Sequence, residues 1–302
     1  CGLPWSRKMI VERFKLTCDK LLSYQQLAYS YCYTCIPQNG KDILMYSNAD
    51  ALLFTGHHSE ITSMTFGKKN SPVLLCSASA DYIIVWNVEV CQRRVSQGQI
   101  AAGTVIGSLP GEVVHLSFCL SDERVAACSG ATAYILSLEK EETILTLTGH
   151  LGPVTSAEFC TWDKNILVTT SEDRTFKVWD LQTETVFYQS FVLSASPLLS
   201  VFFMKENGHI ITGSADGQVW CFSLHADFSC QLVTKIDLHK NEQRHQAGEN
   251  LAMDWLCVGS TDGLYVVNLA TSELVSVLHF TGMVPSVFVL PKNPIGESLS
   301  IL

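Results

Sequence analysis

The sequence predicts an all-β fold, a β-propeller of four-stranded antiparallel blades, seven in number with the last incomplete in this chain. Two markers carry this prediction. A tight Ser-x-Asp turn recurs at Ser79–Asp81, Ser171–Asp173, Ser214–Asp216 and Ser260–Asp262, so the aspartates stand 92, 43 and 46 residues apart. The first gap spans two periods. The missing copy falls at VAACSGATAYILSLE, which keeps the apolar–turn–apolar shape without the aspartate. Second, the histidines of Gly56-His57 and Gly149-His150 each precede a tryptophan, Trp86 or Trp179, by 29 residues. Two independent markers in one register point to stacked supersecondary units, none able to bury its apolar face alone.

The clearest unit runs from Gly149 to Asp180. Val154–Phe159 alternates as a strand does, and Ile166–Thr170 is a β-branched run. Ser171-Glu172-Asp173-Arg174 has the residues of a tight turn. Phe176–Trp179 is a third strand and Thr185–Val192 a fourth. Four short strands in one period make one blade. Laid along the chain, this unit divides a single domain, 1–302, into repeats at about 21–56, 57–108, 109–149, 150–193, 194–238 and 250–280. The position of Trp179 is filled in the other units by Tyr46, Trp86, Leu136, Phe222 and Val267, all apolar or aromatic. The polar stretch HKNEQRHQAGEN, which starts at His239, leaves little chain for a first strand in the sixth unit.

Apolar residues make up 47% of the 302 residues and charged residues 16%, so a large core is available. No run is long enough to span a bilayer as a helix, and CGLPWSRKMIVERFKL has no uninterrupted apolar stretch of the kind a secretory leader needs. Neither membrane insertion nor secretion is expected. The net charge of −9 disfavours nucleic acid as a partner. Most of the twelve cysteines, such as Cys76, Cys119, Cys128, Cys160, Cys221 and Cys257, lie in apolar runs and read as small core residues. A reducing, intracellular setting follows, cytoplasm or nucleus.

With Trp86-Asn87 and Trp179-Asp180 as closing dipeptides and the two Gly-His pairs ahead of them, the chain resembles the WD40 repeat family. The resemblance implies that Met9–Leu16 supplies a strand that closes the ring, and that 283–302 forms part of the last blade. It also implies two structural hydrogen-bond sets: His150, Thr169, Asp173 and Trp179 in one unit, and His57, Ser77, Asp81 and Trp86 in another. A buried indole N–H needs an acceptor, which a hydroxyl provides, and a turn carboxylate can take the imidazole N–H together with turn amides. The second set departs from the first, since Asp81 precedes Trp86 by five residues where Asp173 precedes Trp179 by six. A catalytic Ser/Thr–His–Asp reading is set aside because the set recurs with the repeat. Ser194 and Phe222 replace its histidine and tryptophan in the fifth unit, and the third has lost nearly all of it.

Other constellations carry less. Cys32-x-x-Cys35 has no second pair, and residues three apart on a strand face opposite sides. His239, Glu242 and His245 read as a solvated loop. Arg93-Arg94 also reads as a solvated outer loop, because Gln92 and Val95 flank it where phosphoinositide-binding propellers carry other residues. Gln182 and Glu89 stand where substrate adaptors of ubiquitin ligases often carry arginine. No phosphate loop, paired-carboxylate motif or GxSxG is present. The expectation is therefore a non-enzymatic, monomeric scaffold with no cofactor, metal or catalytic residue. A ubiquitin-ligase adaptor is the alternative; a lipid-binding propeller or an enzyme ranks lower. By resemblance, a protein or peptide partner would meet the face bearing the Gly-His and Ser-x-Asp turns, at Glu60, Tyr82, Leu151, Pro153, Arg174 and Pro197.

Overall fold

A computed structural model describes residues 26–30, 32–47, 51–204, 208–225, 229–238, 255–259, 263–268 and 271–279. The expected strand at Met9–Leu16, the partial blade at 283–302 and the loop with His239, Glu242 and His245 lie outside them.

Six antiparallel sheets follow one another along the chain. The first holds β1 (Ala28–Ser30), β2 (Tyr33–Gln38), β3 (Asp42–Tyr46) and β4 (Ala51–Phe54). The second holds β5 (Ile61–Phe66), β6 (Leu74–Ser79), β7 (Ile83–Asn87) and β8 (Thr104–Gly107), with helix α1 (Val88–Ser96) between its last two strands. The third is β9 (Val113–Phe118), β10 (Arg124–Ser129), β11 (Thr132–Ser137) and β12 (Glu142–Thr148). The fourth is β13 (Val154–Phe159), β14 (Ile166–Ser171), β15 (Phe176–Asp180) and β16 (Thr185–Gln189). The fifth is β17 (Leu198–Phe203), β18 (His209–Ser214), β19 (Gln218–Leu224) and β20 (Cys230–Asp237). The sixth has three described strands, β21 (Trp255–Gly259), β22 (Gly263–Asn268) and β23 (Glu273–His279).

Strands pair only with their chain neighbours inside each sheet, and the first strands β1, β5, β9, β13 and β17 lie in series, each against the next. That is a β-propeller with its first strands innermost. Apolar side chains gather between blades rather than within them. Trp86, Leu75 and Ile84 pack with Phe54, Ile43 and Met45 of the first blade. Cys76, Ala78 and Val85, one step along the same strands, pack with Leu116, Phe118 and Val125 of the third. Side chains alternate across a sheet, so a middle strand sandwiched between two blades must be apolar at successive positions. This is why β14 opens with three consecutive apolar residues, Ile166, Leu167 and Val168, and is buried throughout.

The innermost strands are joined by repeated side-chain bonds. Register shifts fall within β5, β13 and β17, at Ile61/Ser63, Val154/Ser156 and Leu198/Ser200. A bulged residue is turned out of the ladder. In two blades it is a threonine that bonds to the next blade: Thr62 donates to the Val113 carbonyl and Thr155 to the Leu198 carbonyl, both at 2.7 Å. Ser117 likewise donates to the Ala157 carbonyl at 2.7 Å.

One local expectation fails. The residues around Arg93-Arg94 form an α-helix, not a loop. Asn87 caps it, its side chain accepting the Val90 N–H at 3.1 Å, and Val88 and Cys91 bury one face in the core between the first and second blades.

Candidate functional site

The fourth blade brings four residues into one chain of bonds. Thr169 lies on β14 and Trp179 on the paired strand β15, while His150 is on the loop entering the blade and Asp173 in the β14–β15 turn. The Trp179 indole N–H donates to Thr169 Oγ1 at 2.8 Å. The Thr169 hydroxyl lies 2.8 Å from His150 Nε2, and His150 Nδ1 lies 2.7 Å from Asp173 Oδ2. The indole can only donate and the carboxylate can only accept, so the protons run in one direction: tryptophan to threonine to histidine to aspartate. His150 is then neutral with its proton on Nδ1. Burial lowers its pKa, outweighing the opposing hydrogen bond and charge of Asp173.

Asp173 organises the turn as well. It accepts the Leu151 N–H at 3.0 Å, and the Thr175 N–H and hydroxyl at 2.9 and 2.7 Å. Burial alone would raise its carboxyl, but the bonds from Thr175, His150 and Leu151 outweigh that and hold it at about 2. Ser171 completes the frame, donating to the Gly152 carbonyl and accepting the Asp173 N–H, each at 3.0 Å.

The second blade repeats this arrangement with one change. Trp86 donates to Ser77 Oγ at 2.9 Å, and Ser77 lies 2.7 Å from His57 Nε2. His57 Nδ1 is 3.4 Å from Asp81 but only 2.8 Å from Ser79 Oγ, which itself bonds the Asp81 carboxylate. The one-residue shortening between Asp81 and Trp86 is thus met by inserting Ser79 between histidine and aspartate. Asp81 also accepts the His58 and Tyr82 N–H groups at 2.8 and 2.9 Å. In the fifth blade Ser194, standing where a histidine would, still donates to Asp216 at 2.9 Å, and Phe222 is buried in place of the tryptophan.

The third blade lacks the set but has another polar tie. Buried His115 accepts the Ala157 N–H at Nδ1, 3.4 Å away, leaving Nε2–H to face Ser156 Oγ at 3.2 Å and Glu158 at 3.9 Å. Burial, with Lys68 adding to it, pushes the His115 pKa down to about 3. Asp122, also buried, accepts the Lys68 and Lys69 N–H groups of the second blade at 2.7 and 2.9 Å. The spacing of single residues on three separate repeats gave no signal for this contact.

The buried sets position loops that carry exposed side chains. Leu151 follows His150 and is 95% exposed. Pro153 is exposed and its carbonyl accepts the Glu172 N–H at 2.9 Å. Arg174 is exposed at the tip of the turn with φ of 70°. Tyr82 is exposed in the second blade's turn, its ring edge-on to His58. Glu60 is exposed and lies against the tight turn at Gly40 of the first blade. Pro197 is half-buried, its carbonyl accepting the Ala215 N–H at 3.0 Å. All six sit on loops or turns at one end of the blades. Phe191 and Val192, with no marker in the repeat pattern, are exposed at 66% and 51%. They adjoin the same turn, where the Leu193 N–H bonds the Arg174 carbonyl at 3.1 Å. Reading Thr185–Val192 as one strand hid them, because β16 ends at Gln189.

Cys32 is exposed ahead of β2 and Cys35 is buried within it, so only Cys35 is a core cysteine. Among the described residues no His/Cys/Asp/Glu group has metal-binding geometry, and no helix is long and apolar enough to cross a membrane.

The family model described as WD domain, G-beta repeat matches residues 141–180, the segment that holds the complete hydrogen-bond set. This segment is a WD40 repeat. The WD40 match begins with β12 and ends with β15, so the family's repeat is staggered by one strand against the blade. Protein tipD of Dictyostelium discoideum is similar, 31% identical over 189 residues that cover 61% of this chain and 28% of that protein. Periodic tryptophan protein 2 homolog and pre-mRNA-splicing factor cwf17, both of Schizosaccharomyces pombe, are each 24% identical. Those matches cover 61% and 62% of this chain and 23% and 52% of the two relatives. The matched region is thus about half the length of these relatives or less.

Proposed function

We propose that this propeller is a non-enzymatic protein-interaction scaffold that holds a peptide or protein partner on the face bearing the Gly-His and Ser-x-Asp turns. One observation carries the reading. Half-buried Asp173 fastens the Leu151 backbone and the turn that carries Arg174, so two exposed side chains project from backbone set by one carboxylate. A surface set in advance binds with little ordering cost. WD-repeat relatives named for pre-mRNA splicing and processing favour work within assemblies. The same bonds speak against catalysis by the His–Asp pair. The Thr169 hydroxyl is buried, and its proton and acceptor lone pair are both engaged. A nucleophile must reach substrate with a base available to take its proton.

The test is affinity capture from cells with the wild-type chain and with Arg174→Glu, read by mass spectrometry. Loss of specific partners in the variant, at unchanged melting temperature, is the expected result. A partner list indifferent to Arg174→Glu, Leu151→Ser and Tyr82→Ala would place binding elsewhere.

A further inference from the structure

The connection from third to fourth strand is a short turn in the third and fourth blades, Leu138–Glu141 and Leu181–Glu184. In the second blade it runs from Val88 to Gly103 and contains α1, the one helix of this length among the described residues. Its attachment places it away from the Gly-His turns. The Val88 N–H bonds the Val73 carbonyl at 3.0 Å, and Ser71 bonds Glu89, both at the β5–β6 connection on the opposite end of the blade.

This insertion is built rigidly. Val88, Cys91 and Ala101 are buried in the same cluster as Trp86. The helix is closed at its C-terminus by the Gln97, Gly98 and Gln99 amides, which bond the Arg94 and Val95 carbonyls. Arg94 Nε donates to the Ile100 carbonyl at 3.0 Å, fixing the returning chain. At Gly103 that chain runs so close to Trp86 and Ile84 that a Cβ would stand 2.8 and 2.4 Å from their side chains. None of this ordering serves the blade's own ladder, which the third and fourth blades complete without it.

The outward surface combines exposed apolar side chains with a cation. Val90, Val95 and Ile100 are exposed, Ile100 at 74%. Arg93 is exposed beside them, and neither Arg93 nor Arg94 has a carboxylate partner among the described residues. The segment carries two arginines against Glu89 alone, in a chain whose net charge is −9. An anionic ligand is repelled by the molecule as a whole and attracted here, so charge selects this patch.

We infer that α1 and the chain returning from it form a second docking surface, for an acidic protein segment whose carboxylates flank aliphatic or aromatic side chains. The apolar side chains would cover Val90, Val95 and Ile100, and a carboxylate would pair with Arg93. A protein segment is favoured over an anionic bilayer because the acidic remainder of the domain would be held against the lipid charge.

The test uses a short fluorescent peptide alternating glutamate with leucine, titrated with the full chain and followed by anisotropy. Controls are the same peptide with serine for leucine, the same peptide with lysine for glutamate, and phosphatidylserine vesicles. The glutamate–leucine probe should bind, weaken with added salt, and lose about tenfold in affinity with Arg93→Glu and with Ile100→Ser. Both residues point to solvent, so the melting temperature serves as the folding control. Arg174→Glu, on the other end of the propeller, should leave probe binding unchanged. Four results would each overturn the proposal: no binding, equal binding to both variants, equal binding of the serine peptide, or binding to vesicles alone.

Discussion

Replacing Thr169 by valine exchanges one hydroxyl for a methyl group and keeps the β-branched shape of β14. The hydroxyl is the midpoint of the fourth blade's chain of bonds, so its loss strands two groups at once, the Trp179 indole N–H and His150 Nε2. Neither can turn to water. Trp179 is 2% exposed and the His150 side chain 1%. A buried polar group left unpaired costs about 1–3 kcal/mol, so the substitution should destabilise by about 2–6 kcal/mol. That is a large fraction of the ~5–15 kcal/mol a folded domain has in total. Urea unfolding should show a lower midpoint at unchanged slope. Thr169→Ser keeps the hydroxyl and removes one methyl group, for about 1 kcal/mol. Thr169→Val combined with Trp179→Phe removes donor and acceptor together, and should cost less than the sum of the two single changes. Equal damage from valine and serine, or simple additivity in the double variant, would refute the role of the Thr169 hydroxyl.

Further outcomes follow from the same geometry. The folded-state pKa of Asp173, about 2, lies below its ordinary 3.8. A depressed carboxyl contributes stability that is present above the ordinary value and lost as pH falls through about 2. Asp173→Asn should therefore flatten the acid limb of stability measured between those values. His115 is held at about 3 against an ordinary 6.5, so the unfolded chain takes up the proton first and stability falls as pH drops from 6.5 towards 3. His115→Gln should remove that part of the slope in a series of thermal melts. Asp122→Ala leaves the Lys68 and Lys69 N–H groups without their acceptor and should cost about 1–3 kcal/mol, with faster amide exchange at those two residues.

Much of the fold was legible because its causes are local and repeated. Middle strands such as β14 lie between two blades, so their apolar residues are consecutive and stand out between turn residues. The set in the fourth blade was legible for a related reason. The second and fourth blades share the 29-residue spacing from histidine to tryptophan, so the Gly-His and Trp markers of the second blade announced a similar set there. Ser79 was missed because its role arises only when a turn one residue shorter leaves Asp81 3.4 Å from His57. An apolar run shows nothing of where pairing stops, so Phe191 and Val192 look in sequence like the end of a strand that stops at Gln189.

The chain by itself determined the blade and its period, since these lie within one unit and recur, and its resemblance to WD40 repeats pointed to the members of the hydrogen-bond set. Only the tertiary structure decided the contacts between units. His115, Glu158 and Lys68 sit on three different blades, and nothing in the spacing of three single residues shows that the ring will bring them together. The helix at Val88–Ser96 belongs with them. Its valines carry little helical preference, and it forms because Asn87 caps it and the core between two blades takes up Val88 and Cys91.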